Sequence, residues 1–283
     1  MKKILQRLAM FVIGLPLVVS VVVFLPQFNH LAANLAVTIA CSLGAVEFAS
    51  IIGRKGYRLP VWEAAFLGAL VPFAATLATS FGVEGETVTT SFIVGAAWIV
   101  SSRIFSRTDR LGEAAARVVI GLSTLVYPGV FMIWIIRMGA LPHSWQVLLV
   151  FLLSVFANDS LAWFFGMIFG KGNRGFLPAS PNKSVAGFIG GMLSSVAVGA
   201  ASPFIFPVAF ASSFLPAPFA GGLLGVLAGA AGIIGDLAES TIKRSAEVKD
   251  SGSIIPGRGG ILDSIDSLAF AAPVFYVAYQ VFF

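Results

Sequence analysis

In the second half of the chain, carboxylates and lysines stand inside runs that are otherwise apolar. Asn158 and Asp159 lie in one such run, and Asp159 precedes Lys171 by twelve residues. At about 1.5 Å per helical residue, this sets the carboxylate on the order of 15–20 Å inside its run. A carboxylate at such depth costs roughly 2.5 kcal/mol or more unless it faces a wet cavity or a cation. Asp236, Glu239 and Lys243 fall at i, i+3 and i+7 within Gly235–Arg244 and share one helical face. Asp263 and Asp266 follow at i, i+3. Between these pairs, Lys249-Asp250 and Pro256-Gly257-Arg258-Gly259-Gly260 form a loop whose glycines let backbone N–H groups approach an anion. Ser180-Pro181-Asn182-Lys183-Ser184, followed by Gly187, Gly190 and Gly191, leads into a helix whose N-terminus, with Lys183, could cradle a phosphate.

Carboxylate and amide oxygens are hard ligands that suit Mg²⁺, an ion that commonly shares its coordination with phosphates. Lysine and arginine neutralise phosphates. Together they point to metal-assisted phosphoryl or nucleotidyl transfer on a lipid, where positioning and charge neutralisation supply most of the acceleration. Each feature also has a plainer explanation. A buried acid can simply pair with a base, a charged helix face can be solvated, and an interfacial basic cluster can be a topology signal or an anionic-lipid contact. The functional reading gains from all five elements lying in one half of the chain and opening to one side of it. Gly221, Gly225 and Gly229, four residues apart, point to close helix packing and no chemistry.

The elements that must position these groups follow from composition. The chain has 283 residues, 58% hydrophobic and only 11% charged, against roughly 25% charged in a soluble domain. This excludes an ordinary water-soluble protein, and the 26 phenylalanines exclude a disordered one. Apolar runs near 8–26, 32–52, 61–80, 88–103, 116–137, 145–170, 184–207, 217–242 and 266–283 predict an all-α, polytopic membrane protein with about nine transmembrane helices. The first run lacks an Ala-x-Ala site before Gln27 and reads as a retained anchor rather than a signal peptide.

On this ladder Lys2, Lys3 and Arg7; Arg54, Lys55 and Arg58; Arg103, Arg107, Arg110 and Arg117; Lys171, Arg174 and Lys183; and Lys243, Arg244, Lys249 and Arg258 all fall on one side. Arg137 stands opposite, and Glu84 and Glu86 mark an outer loop. The positive-inside rule then sets the N-terminus in the cytoplasm and the C-terminus outside, in a multi-pass cytoplasmic (inner) membrane protein. Glu47 and Glu63, near span ends, are expected to cap helices or to pair with Arg54 and Lys55. The lone Cys41 excludes a disulfide framework or a cysteine metal cluster, and His30 and His143 lie in short connections far from the acidic clusters. The net charge of +5 is scattered among apolar spans, which argues against nucleic acid as a partner.

Ser240-Thr241-Ile242-Lys243-Arg244, Lys249-Asp250, Pro256-Gly257, Gly259-Gly260, Asp263 and Asp266 together resemble the C-terminal motif of the phosphatidate cytidylyltransferases, or CDP-diacylglycerol synthases. Asn158-Asp159 and Ser180-Pro181-Asn182-Lys183 with Gly187 resemble two further elements of that family, so the likeness spans residues 158–266. The chain departs from the family motif at Arg258, which replaces a histidine, and at Ser264, which replaces an arginine. The first keeps a cation and argues against an obligatory histidine base; the second removes a phosphate-binding candidate. The resemblance implies the reaction of CTP with phosphatidic acid to give CDP-diacylglycerol and pyrophosphate, with Mg²⁺ required and the number of cations left open.

On this basis Asp236, Asp263, Asp266 and Lys243 are the candidate catalytic residues, and Asp159, Asp236, Asp263, Asp266 and Glu239 the candidate metal ligands. Asn158, Ser180, Lys183, Ser240, Arg244, Lys249, Asp250, Arg258, Gly259 and Gly260 are the candidate substrate-binding residues. Residues 141–283 would form the catalytic region with a cytoplasm-facing cleft, and residues 1–140 would serve packing, dimerisation and lipid access. The Gly-rich and aromatic spans are compatible with a homodimer. A CTP-dependent lipid kinase and an ion-coupled transporter are the alternatives; the absence of an internal repeat weighs against the transporter.

Overall fold

The computed structural model describes residues 13–83, 86–102, 104, 112–255 and 257–283. Lys2, Lys3, Arg7, Glu84, Arg103, Arg107, Arg110 and Pro256 lie outside the described residues, as does the side chain of Lys55. In chain order the main helices are α1 (Leu15–Phe24), α2 (Gln27–Ile52), α3 (Val61–Phe81), α4 (Glu86–Ser101), α5 (Ala114–Met138), α6 (Ser144–Phe169), α7 (Val185–Ile205), α8 (Ala217–Ser245) and α9 (Leu262–Phe282). Among the described residues, seven of these, α2, α3 and α5 to α9, are long and apolar enough to cross a membrane, while α1 and α4 are shorter apolar helices. Isolated bridges at Arg174–Ser184 and Ile255–Gly259 are the extended pairings among the described residues.

Local chemistry sets several helix ends. Pro60 precedes the first turn of α3, where a missing N–H costs nothing, and Gly82 closes that helix at φ +68°, donating to Ala78 O at 3.1 Å. Ser184 caps α7 by accepting from Gly187 N at 3.1 Å. Within α5, Pro128 has no N–H to give, and the ladder widens to a π turn over Leu125–Gly129 and tightens to a 3₁₀ turn over Val130–Met132 before resuming.

The chain divides into two compact units. Unit 1 comprises residues 1–140 and 242–265, so the last turn of α8, the loop after it and the first turn of α9 belong to it. Its α2 and α3 approach closely where Gly68 meets Cys41 and Ala45. A row of polar side chains joins the same helices: Asn34 Nδ2 donates to Ser80 Oγ at 3.2 Å, and the Thr38 and Thr76 hydroxyls meet at 3.1 Å. Leu67, Ile99, Leu125 and Ile136 fill the apolar core beside it.

Unit 2 comprises residues 141–241 and 266–283. Here α7 and α8 pack backbone to backbone: Gly221 lies against Gly199, and Gly225 against Ser195 and Val196, where a side chain would collide with main-chain atoms. Gly229 faces Asn158 and Ser195. The aromatic pairs Phe151–Phe275 and Phe210–Tyr279, with ring centroids 5.2 and 5.4 Å apart, seat α9, and Tyr279 donates to Ala209 O at 2.7 Å.

This contact has a direct test. Gly225→Leu is expected to lower the thermal midpoint in detergent, by a cost of about 1–3 kcal/mol for overpacking. Gly222→Ala, whose added carbon meets only ordinary contacts at 3.9 Å, should leave the midpoint unchanged; equal midpoints for both variants would refute the backbone contact.

Candidate functional site

In unit 2, three helices and one loop bring acidic and basic groups together. Asp159 comes from α6, Asp236, Glu239 and Ser240 from α8, Asp266 and Ser267 from α9, and Lys183 from the turn before α7. Asp266 is 5% exposed and lies within the electrostatic reach of Asp236, Glu239 and Asp159. Ser267 links two of the acids: its N–H donates to Asp266 Oδ1 at 2.6 Å and its hydroxyl to Asp159 Oδ1 at 3.4 Å. Glu239 is fully buried. Lys183 Nζ donates to Asp236 Oδ2 in an ion pair, and Ser240 Oγ donates to Asp236 Oδ1 at 3.4 Å.

Lys183 is held by its surroundings. Its N–H bonds to Ser180 O at 3.1 Å, closing the turn that Ser180 opens, and its ammonium sits 5.6 Å from the Phe188 ring centroid. Asn158, buried beside Asp159, donates to Ser195 Oγ at 3.1 Å, and Ser195 donates to Ser154 O at 2.8 Å, a chain that fixes the amide. Four carboxylates in an apolar setting are costly unless cations and hydrogen bonds meet them. Among the described residues, no three Asp, Glu, His or Cys side chains form a group that could hold a metal ion unaided.

Unit 1 carries a second polar cluster at the loop between α8 and α9. Lys243 forms an ion pair with Asp263 Oδ1. Asp263 Oδ2 accepts from Gly260 N at 2.7 Å and from Ser251 N at 2.8 Å. The single hydroxyl proton of Ser251 lies between Asp263 Oδ2 at 2.9 Å and Glu47 Oε2 at 2.8 Å. Glu47, buried in α2, also accepts from Ile261 N at 3.1 Å and Leu262 N at 2.8 Å, satisfying N–H groups that the start of α9 leaves open.

The glycine turn depends on positive φ, +80° at Gly257 and +123° at Gly259. Its amides are used internally: Gly259 N donates to Ile255 O at 3.0 Å, and Gly260 N to Asp263. Arg244, Lys249, Asp250 and Arg258 are exposed.

Of the residues singled out from sequence, unit 2 therefore assembles Asn158, Asp159, Lys183, Asp236, Glu239, Ser240 and Asp266, with Ser180 in the supporting turn. Unit 1 assembles Lys243, Asp263 and Gly260. Glu47 does cap a helix, but its partners lie in the distant 251–262 loop, because the N-terminus of α9 supplies the donors. Glu63 pairs with Arg117, not with Arg54, since α5 carries that guanidinium into the same buried layer. Sequence reading missed Ser251 and Ser267, ordinary serines that no spacing marks. The one available signal for Glu47 was a carboxylate in an otherwise apolar helix.

An all-helical, membrane-type chain with a carboxylate and lysine cluster between helices fits an enzyme that handles phosphates at a bilayer. The family model described as the Cytidylyltransferase family matches residues 5–282, and the chain belongs to this family. It is 35% identical to the phosphatidate cytidylyltransferase of Aquifex aeolicus over 153 residues, 54% of each chain. It is 41% identical to that of Haemophilus influenzae over 141 residues, 48% of this chain and 46% of the relative. These alignments span about half the length of each relative. A 27% identical alignment to the phosphatidate cytidylyltransferase of Staphylococcus saprophyticus covers 95% of both chains.

Removing Glu47 should loosen the start of α9. Hydrogen bonds to a charged group contribute about 1.5–3 kcal/mol, so Glu47→Ala is expected to raise hydrogen exchange at the Ile261 and Leu262 amides by about tenfold or more. Glu47→Gln, which keeps an acceptor, should raise it less, and unchanged exchange in both variants would refute the capping role.

Proposed function

We propose that this protein transfers the cytidylyl group of CTP to phosphatidic acid, forming CDP-diacylglycerol and releasing pyrophosphate, at the cytoplasmic face of the inner membrane. The observation that carries the reading is the meeting of Asp159, Asp236, Glu239, Asp266 and Lys183 in unit 2, from four stretches of a chain that belongs to the Cytidylyltransferase family. The names of the relatives from Aquifex aeolicus, Haemophilus influenzae and Staphylococcus saprophyticus support the choice of phosphatidate as acceptor. Basic residues on alternate connections support nine crossings with the N-terminus in the cytoplasm and the C-terminus outside.

The reaction asks little of a base. A phosphate monoester has a second pKa near 6, so at neutral pH the lipid phosphate is already an anionic nucleophile. Its oxygen forms a bond to the α-phosphorus of CTP while the bond from that phosphorus to the bridging oxygen breaks, and pyrophosphate leaves with the electron pair. The obstacle is repulsion between two polyanions. Lys183, oriented by Asp236 and the Phe188 ring, is assigned to phosphate binding. Arg244 and Lys249, exposed cations of unit 1, are assigned to nucleotide phosphates, while Lys243 is engaged with Asp263.

The donor set of unit 2 fits Mg²⁺. Its oxygens are hard, and Mg²⁺ sites commonly combine one or two carboxylates with water and substrate phosphate. We assign the ion to one or two of Asp159, Asp236 and Asp266, with substrate phosphate and water to complete its shell and Glu239 supporting them from its buried position; Mg²⁺ would supply neutralisation of the triphosphate. Asp263, most of whose acceptor sites are engaged by Lys243, Ser251 and Gly260, is assigned to holding the loop.

Purified protein with Mg²⁺, phosphatidic acid and CTP labelled on the α-phosphorus should yield labelled lipid. With a polyprenol supplied as well, label reaching lipid only from the γ-phosphorus would establish a kinase, and no product from either label would overturn both readings. Asp236→Asn and Asp266→Asn should each lower kcat by about a hundredfold or more. Lys183→Ala should act mainly on KM. Rates like those of the unaltered protein in both aspartate variants would overturn the metal assignment.

A further inference from the structure

Unit 1 contains a cavity of about 780 Å³ where α4 ends and α3 and α5 begin. It is lined by Arg58, Trp62, Glu63, Trp98, Glu113 and Arg117 among others, none of which enters the chemistry above. At its base Arg117 forms a buried ion pair with Glu63, whose Oε1 also accepts from Trp98 Nε1 at 3.0 Å. Arg117 is only 5% exposed, and its Nε–H has no hydrogen-bond partner among the described residues. Leaving such a donor buried and unmet is costly; an acceptor oxygen brought into the cavity would remove that cost.

The charges on the wall narrow the class of ligand. Among the described residues of the wall, two guanidiniums, Arg58 and Arg117, stand with two carboxylates, Glu63 and Glu113, in balance. A phosphate dianion would upset that balance. A phosphodiester joined to an ammonium would preserve it, setting oxygens toward Arg117 and Arg58 and the ammonium toward Glu113 and the tryptophan faces. The Trp62 and Trp98 rings meet edge to face at 6.2 Å and are 61% and 41% exposed, as is usual for indoles at the level of lipid headgroups. The volume suits a headgroup with its glycerol. We propose that this cavity binds the headgroup of a zwitterionic phospholipid, which is held as a bound lipid and is not a reactant.

The test uses the full-length protein, delipidated in detergent and offered equimolar phosphatidylethanolamine and phosphatidylglycerol, with bound lipid read by native mass spectrometry. The unaltered protein should retain phosphatidylethanolamine over phosphatidylglycerol by about tenfold, the ratio for roughly 1.4 kcal/mol. Trp62→Ala and Glu113→Gln, both at exposed positions, should bring the ratio close to one, and millimolar inorganic phosphate should not displace the lipid. Equal retention of both lipids, or preference for phosphatidylglycerol, would overturn the proposal in favour of a general anion patch. Displacement by phosphate would overturn it in favour of a free-anion site, and an unchanged ratio in both variants would show that the lipid binds elsewhere.

Discussion

A charge carried on an apolar helix is stable only where other polar groups meet it. Most of what distinguishes this protein from a plain bundle of apolar helices follows from how each buried acid meets that demand. Glu63 does so with a guanidinium and an indole N–H, Glu47 with a hydroxyl and two main-chain amides, and Asp263 with an ammonium, a hydroxyl and two amides. The first two tie together stretches far apart in sequence, and the third closes the loop just before it. Helix packing by small residues supplies the closeness, and these polar contacts supply the register.

The two clusters differ in composition. Around Asp263 the acceptor sites are largely engaged by donors from the protein itself, which suits a device that shapes a loop. Around Asp266 acids outnumber the basic group beside them, with Lys183 positioned at the half-exposed end of Asp236. The acids of unit 2 thus gather around Asp266, while Asp263 and Glu47 of unit 1 hold the loop before α9.

Much of this was legible in the amino-acid sequence because bilayer thickness acts on length and polarity alone. The apolar run at 217–242 lies within α8, and the run at 61–80 corresponds to α3. The i, i+3 pairing of Asp236 with Glu239 and the isolated Asp159 were visible because acids are rare in such segments. The start of α9 four residues before Asp266 was not, since it depends on Glu47, more than two hundred residues earlier. Nor was the burial of Arg117. By charge it belonged with the basic connection after the fourth run, and only the position of Glu63 on another helix draws it inward. Local patterns reveal which groups are unusual, whereas their partners depend on packing between helices.

The route of the chain through its two units bears on biosynthesis. Unit 1 draws on residues 1–140 but is closed by residues 242–265, so it remains incomplete while α6, α7 and most of α8 are being made. Until the ribosome has delivered Ser251, Ile261 and Leu262, the donors that meet Glu47 do not exist. Closure of the amino-terminal unit therefore waits for residues 242–265, and until they emerge Glu47 lacks these donors within an otherwise apolar α2.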